Sequence, residues 1–330
     1  MNKILVIGCG SIGQRHIKAL LKNGESNIAA YRTGKGQLKE LDKEIREHVE
    51  EFSDEDYAFA WKPTHIIISN PTSLHLEYLI KSIKIGANVF IEKPITGNYS
   101  ELENVTVPLS QLKEYEGVVG FNLRFHSLIR QVKGIVASNQ YGKVIYVNLT
   151  VGHYLPSWHP YEDYRDSYAS RKDFGGGVIR TLSHEIDLVQ YFFGKIKKVF
   201  AKVEKLSSLE IDVDDVADLM LETDNCKRIL IHMDYLNPVP VREGKMLFEK
   251  GLLEYSYNRG EIHFTDYVSG QNEVIFKDNE DYDEQYTSQM KSFINKGDSN
   301  TACMLEEGVE VMRVIQCCEE SSRTGEEICL

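Results

Sequence analysis

Residues 3–16 read KILVIGCGSIGQRH, which sets GxGxxG directly behind an apolar strand-like run and directly ahead of a helix-forming one. Few folds accept that order. The first glycine permits a tight turn, the second lets backbone approach a pyrophosphate, and the third lets a helix pack against the strand it follows. The helix then turns free N–H groups and its positive dipole end toward the phosphates. Gly8, Gly10, Ser11, Ile12 and Gly13 are accordingly read as a dinucleotide-binding turn.

Further apolar runs at residues 27–31, 64–69, 88–92 and 117–121 alternate with helical patterns over 14–23, 37–48, 73–85 and 99–115. The runs at 3–7, 64–69 and 88–92 are almost continuously apolar, as in parallel strands covered on both faces. This alternation predicts an α/β arrangement with a doubly wound parallel sheet over residues 1–121. Beyond it come a helix over 127–138, a long strand over 142–154, a Gly-led helix over 175–194, and strand-like runs from 197 to about 276 without long helices between them. That pattern predicts an α+β domain over residues 122–330 built on an antiparallel sheet. Helices over 283–295 and 302–321 close the chain, and the apolar stripe Leu305, Val309, Met312 and Ile315 lets the second pack back on the first domain.

The end of the second strand is where a NAD site usually carries an acid for the ribose 2′-hydroxyl. Here Arg32 stands in that place with Thr33 beside it. An arginine pairs with a 2′-phosphate in a forked geometry, so NADP(H) is the favoured cofactor, with NAD(H) as the second option. Asn70, Pro71, Thr72 and His75 follow the strand over 64–69, at the end where such sheets bind ligands. Lys93, alone at the carboxyl end of the strand over 88–92, is read as facing the same cleft, although a surface lysine fits position alone equally well.

Composition narrows the partners. A net charge of −12 disfavours nucleic acid and anionic membranes. No apolar run approaches the roughly 20 residues of a membrane span, and no export signal is recognisable at the start. The 6 cysteines form no CxxC pair, which fits a cytoplasmic protein and argues against a cysteine-built zinc site. His153 and His159 lack a third ligand at helical spacing, so no metal is expected.

In order, GCGSIG, NPTSLH, IEKP (91–94), GFNLRFH (120–126) and GGG (175–177) before a His-bearing helix resemble the motifs of the Gfo/Idh/MocA oxidoreductases. The resemblance implies a Rossmann domain followed by a domain with an open, mostly antiparallel sheet, whose outer face often joins subunits, here into a homodimer or homotetramer. It implies redox chemistry on a sugar or cyclitol. Matched residue by residue, it makes Lys93 the group that contacts the reacting hydroxyl and the nicotinamide ribose, and Glu92 a support of the cofactor region. Asn122 falls near the cofactor, Arg124 near the substrate, and His184 matches the acid–base. Many relatives carry Asp where this chain has Thr181, and threonine cannot supply that charge.

Residues 153–174 gather Trp158, His159, Tyr161, Tyr164 and Arg165. Aromatic faces with convergent donors suit a sugar; the same residue types also suit a subunit contact. Trp158, Tyr164, Arg165 and Thr181 are taken as substrate residues. Helical spacing puts Thr181, His184 and Asp187 along one face. The expected activity is hydride transfer between nicotinamide and a carbinol or carbonyl carbon of a sugar, amino sugar or sugar derivative. The alternatives are an NAD-dependent glycosidase of the same fold and a non-enzymatic nucleotide-binding sugar sensor, the latter favoured only by Thr181.

Overall fold

A computed structural model describes residues 2–34, 40–103, 117–158, 163–295 and 300–330. In it the chain forms two compact units, Met1–Phe125 with Asp281–Glu310, and His126–Glu280 with Val311–Leu330.

The first unit is built on six parallel strands, β1 (Ile4–Ile7), β2 (Ile28–Tyr31), β3 (Val49–Phe52), β4 (His65–Ile68), β5 (Asn88–Ile91) and β6 (Val118–Val119). Their order is β6-β5-β4-β1-β2-β3, with the short strand Cys303–Met304 antiparallel on β6. The order reverses between β1 and β4, which opens a crevice beyond the carboxyl ends of those strands. β1 and β4 are buried along their whole length, as their unbroken apolar sequences require. β3 and the helix Glu55–Ala60 were not anticipated. At the edge of the sheet none of the four residues VEEF is fully buried and both glutamates are exposed, so the acids hide the strand from an apolar count. Within the expected helix 37–48 only Lys43–Arg46 is helical, and residues 35–39 lie outside the described residues. The expected helix 99–115 is helical over Tyr99–Glu103, and residues 104–116 are likewise not described.

The division expected at residue 121 needs correction. Helix Glu284–Ile294, assigned from sequence to the second domain, packs in the first unit. Its Tyr286, Met290 and Phe293 share one core with Ile17, Leu20 and Phe90. The segment that follows continues into the strand on β6, and the Leu305 N–H donates to the Gly117 carbonyl at 2.8 Å. A Cβ on Gly308 would meet Val119 and Ile95, so the start of helix Leu305–Thr324 is a close fit to that same sheet edge.

The second unit holds β7 (Val144–Gly152), β8 (Ile196–Glu204), β9 (Val216–Thr223), β10 (Ile229–Asp234), β11 (Val241–Phe248), β12 (Gly251–Ser256), β13 (Glu261–Asp266) and β14 (Asn272–Lys277). The order is β14-β13-β12-β11-β7-β10-β9-β8, ending on Ile328–Cys329. Among the described residues only β7 and β10 of this sheet pair in parallel, so it is mostly antiparallel and open. Val147, Leu149 and Val151 of β7 face the core, while Tyr146, Asn148 and Thr150 between them are half-exposed. Helix Ser127–Ser138 has its expected bounds. The Gly-led stretch is not one helix: it divides into Val178–Thr181 and His184–Phe193.

Candidate functional site

In the first unit the turn after β1 explains its own glycines. Gly8 lies at φ +85°, and a Cβ there would come within 2.5 Å of the Asn70 backbone. A Cβ on Gly13 would run into the Gly8 carbonyl oxygen and the Ser69 hydroxyl. Gly10 is the opposite case, since a Cβ there would meet nothing within 4 Å. Gly10 also gives helix Ser11–Lys22 no side-chain cap. Its first N–H groups, at Ser11, Ile12 and Gly13, therefore face the space into which a pyrophosphate fits. Asn70 adds a buried Oδ1 without a protein partner among the described residues. These features fit a dinucleotide.

Thr72 begins a short turn before helix His75–Lys84, and Pro71 is exposed at the crevice rim. His75 departs from the reading as a cofactor contact. It is 1% exposed, with Nδ1 2.9 Å from the Pro94 carbonyl and Nε2 2.8 Å from the Asn70 carbonyl. Burial lowers its pKa. The ring therefore ties the Asn70 loop to the Lys93–Pro94 loop instead of reaching a ligand.

Glu92 and Lys93 leave the carboxyl end of β5 half-buried, and the Lys93–Pro94 peptide is cis. The Glu92 carboxylate lies 2.7 Å from Nε2 of the buried His16 and accepts the Lys93 backbone N–H at 3.2 Å. A Cβ on Gly120 would come within 2.7 Å of that carboxylate, so the glycine of GFN makes room for it. His16, six residues past Gly10, was missed from sequence. Its signal was a histidine on the buried face of the first helix.

Asn122 is buried in the turn Asn122–Phe125. Arg124, expected to meet substrate, is 1% exposed, and its two terminal nitrogens hold both oxygens of Glu307 at 3.0 and 3.2 Å while also donating to the Ala302 carbonyl. It fastens the 302–307 segment beneath the turn. Arg32 projects from the end of β2, and its Nη1 stands 2.9 Å from Glu51 Oε2 on β3. Thr33 follows it on the same loop. Burial pushes the Cys9 thiol up to about 12, so it stays protonated and inert.

In the second unit His184 opens helix His184–Phe193, with Asp187 in the same first turn. Thr181 ends the preceding short helix, so the expectation of one continuous face through Thr181, His184 and Asp187 fails at the break. GGG has a steric origin. A Cβ on Gly176 would strike the Tyr168 and Ala169 carbonyls, and one on Gly177, at φ +112°, would strike the Asp214 carboxylate. That carboxylate accepts the Ile179 N–H at 3.1 Å, and burial raises its pKa.

The segment before GGG is a chain of short turns. Trp158 is half-buried with its ring 5.6 Å from Tyr235, and the Tyr164 hydroxyl accepts the Glu210 N–H at 3.3 Å. Arg165 is exposed and already engaged, with Asp163 on one side and Glu210 at 2.8 Å on the other. A substrate anion would have to compete with both carboxylates. His159 and Tyr161 lie outside the described residues. Among the described residues no cluster of three metal-ligating side chains occurs, and no helix is long and apolar enough to cross a membrane.

Residues 2–115 match the family model described as "Oxidoreductase family, NAD-binding Rossmann fold", and residues 129–254 match the GFO/IDH/MocA C-terminal domain. The chain is 28% identical over 200 residues to scyllo-inositol 2-dehydrogenase (NAD(+)) of Bacillus subtilis, a match covering 57% of this chain and 53% of that protein. It is 27% identical over 229 residues to myo-inositol 2-dehydrogenase of Thermotoga maritima, covering 64% and 62%. These matches span about half the length of the curated relatives. Levoglucosan dehydrogenase in complex with NADH and levoglucosan has the same fold, with a TM-score of 0.84 at 16% identity over 99% of this chain and 98% of that one.

Proposed function

The chain belongs to the GFO/IDH/MocA family of oxidoreductases, and we propose that it moves a hydride between a nicotinamide nucleotide and a carbinol or carbonyl carbon of a sugar, amino sugar or sugar derivative. The observation that carries this reading is the glycine turn, open at Gly10, on the same sheet as the Glu92–Lys93 pair at the carboxyl end of β5. A bound nicotinamide supplies hydride donation and acceptance at C4. The protein's part is to bind, orient and move a proton. Ser11, Ile12 and Gly13 hold the pyrophosphate through backbone N–H groups, Asn70, Thr72 and Asn122 line the cofactor, and His16 fixes Glu92 beneath it. Lys93 polarises the reacting oxygen, and His184 exchanges its proton. Trp158 and Tyr164 supply the aromatic wall for the sugar.

The relatives named for inositol oxidation support a polyhydroxylated substrate. Arg32 favours NADP(H), with NAD(H) accepted as well because the same guanidinium is shared with Glu51. The half-exposed outer face of the open sheet, with Tyr146, Phe200, Met220 and Leu230, suits a homodimer or homotetramer.

Mass spectrometry of the nucleotide that copurifies, followed by a screen of sugars and cyclitols for a change in reduced-nicotinamide absorbance, tests the activity. Turnover with at least one polyol is expected, and His184→Ala should lower kcat by about 10²–10⁴-fold with cofactor affinity preserved. Tight nucleotide binding without turnover on any polyol would favour the sensor instead.

A further inference from the structure

In a doubly wound sheet the adenosine ribose lies over the carboxyl end of the second strand, and an acid there selects the 2′-hydroxyl. This chain has Arg32 at that point, but a carboxylate is present all the same. It comes from the next strand. β2 and β3 run in parallel register with Ala30 opposite Glu51 and Tyr31 opposite Phe52, and the Arg32 N–H donates to the Phe52 carbonyl at 2.9 Å. The register delivers Glu51 alongside the end of β2, where its Oε2 is 2.9 Å from Arg32 Nη1. The arginine side chain is 11% exposed and the glutamate 42%. The guanidinium is thus held largely under cover, and the more open member of the pair is the acid.

From this geometry we propose that Glu51 is the residue that sets cofactor selectivity. Its carboxylate accepts the ribose 2′-hydroxyl of NAD(H) and occupies the guanidinium that a 2′-phosphate needs. NADP(H) binds by drawing Arg32 away from Glu51, and the displaced carboxylate then repels the phosphate. Arg32 and Glu51 together make the site tolerant of both nucleotides, where either residue alone would make it selective.

This rests on the nucleotide-binding reading above, and the test separates the two. Dissociation constants for NADPH and NADH are measured by fluorescence titration for the wild type, Glu51→Gln, Arg32→Ala and the double variant, with melting temperatures confirming that each is folded. Glutamine keeps the shape and removes the charge. Freeing a charge-assisted phosphate contact is expected to tighten NADPH by about tenfold in Glu51→Gln, while NADH holds steady or weakens. In the Arg32→Ala background the same change should have less effect on NADPH, because the phosphate no longer has its partner. Wild-type affinities for the two nucleotides should differ by less than about tenfold. If Glu51→Gln leaves the NADPH to NADH ratio unchanged while both nucleotides still bind, the role of Glu51 is overturned and the nucleotide site stands. Failure of the wild type to bind either nucleotide overturns the site and with it this role.

Discussion

Arg124 shows how a side chain's direction decides its role. Its position, third from the end of GFNLRFH, was read as a substrate contact, yet the guanidinium points inward and meets Glu307 in a fork. Arg124 is buried while Glu307 is 37% exposed and can be hydrated, so Arg124→Ala should destabilise the protein by about 2 kcal/mol, through the unfilled space and the lost hydrogen bonds rather than a stranded charge. Arg124→Lys should restore little, since an ammonium cannot reproduce the fork. Urea denaturation of the variants, with KM measured on the folded fraction, checks this. A KM raised severalfold with unchanged stability would return Arg124 to the substrate. His75 teaches the same lesson: spacing placed it beside the crevice, and only its two carbonyl neighbours show that it ties loops together. Glycines were more legible than polar residues because the need for a missing Cβ is written in the backbone path. Gly8, Gly13, Gly176 and Gly177 are each required by an approach that a methyl group would block.

At the scale of elements, strands that are buried on both faces could be read directly, and so could the amphipathic helix Ser127–Ser138. β3 could not, because an edge strand of acids carries no apolar signal, and with it went the carboxylate beside Arg32. The Gly-led helix was read as continuous because apolar residues recur along its whole length; the break at Leu182–Ser183 has no proline or glycine to mark it. On the open sheet, His232 of β10 stands between Asp218 at 2.7 Å and Asp234 at 3.3 Å. Hydrogen bonding to Asp234, and then to Asp218, raises its pKa from 6.5 to about 9. A raised histidine pKa means that the folded state holds the proton more tightly than the unfolded one. The contribution is therefore complete below pH 6.5 and is lost as pH rises through about 9. The ring is 41% exposed, so solvent screening reduces it to about 1 kcal/mol. Thermal melts from pH 6 to 10 should show the wild type losing that increment relative to His232→Gln. Parallel pH profiles for the two proteins would count against the pairing.

For the whole molecule, the central claim is that a hydride passes directly between nicotinamide C4 and a carbon of the sugar. Both family models, the cradle at Gly10 and the Glu92–Lys93 pair support it. The glycosidase alternative would lend the hydride to the nucleotide and then return it to the sugar, with no net change in the nucleotide's redox state. One isotope measurement distinguishes them. The wild-type protein is supplied with the reduced nucleotide deuterated at both C4 positions, together with the oxidised form of a sugar that it turns over, and the sugar product is analysed by mass spectrometry. The account predicts one deuterium on a product carbon for each nucleotide oxidised. A product free of deuterium, formed while the nucleotide stays reduced, would contradict it.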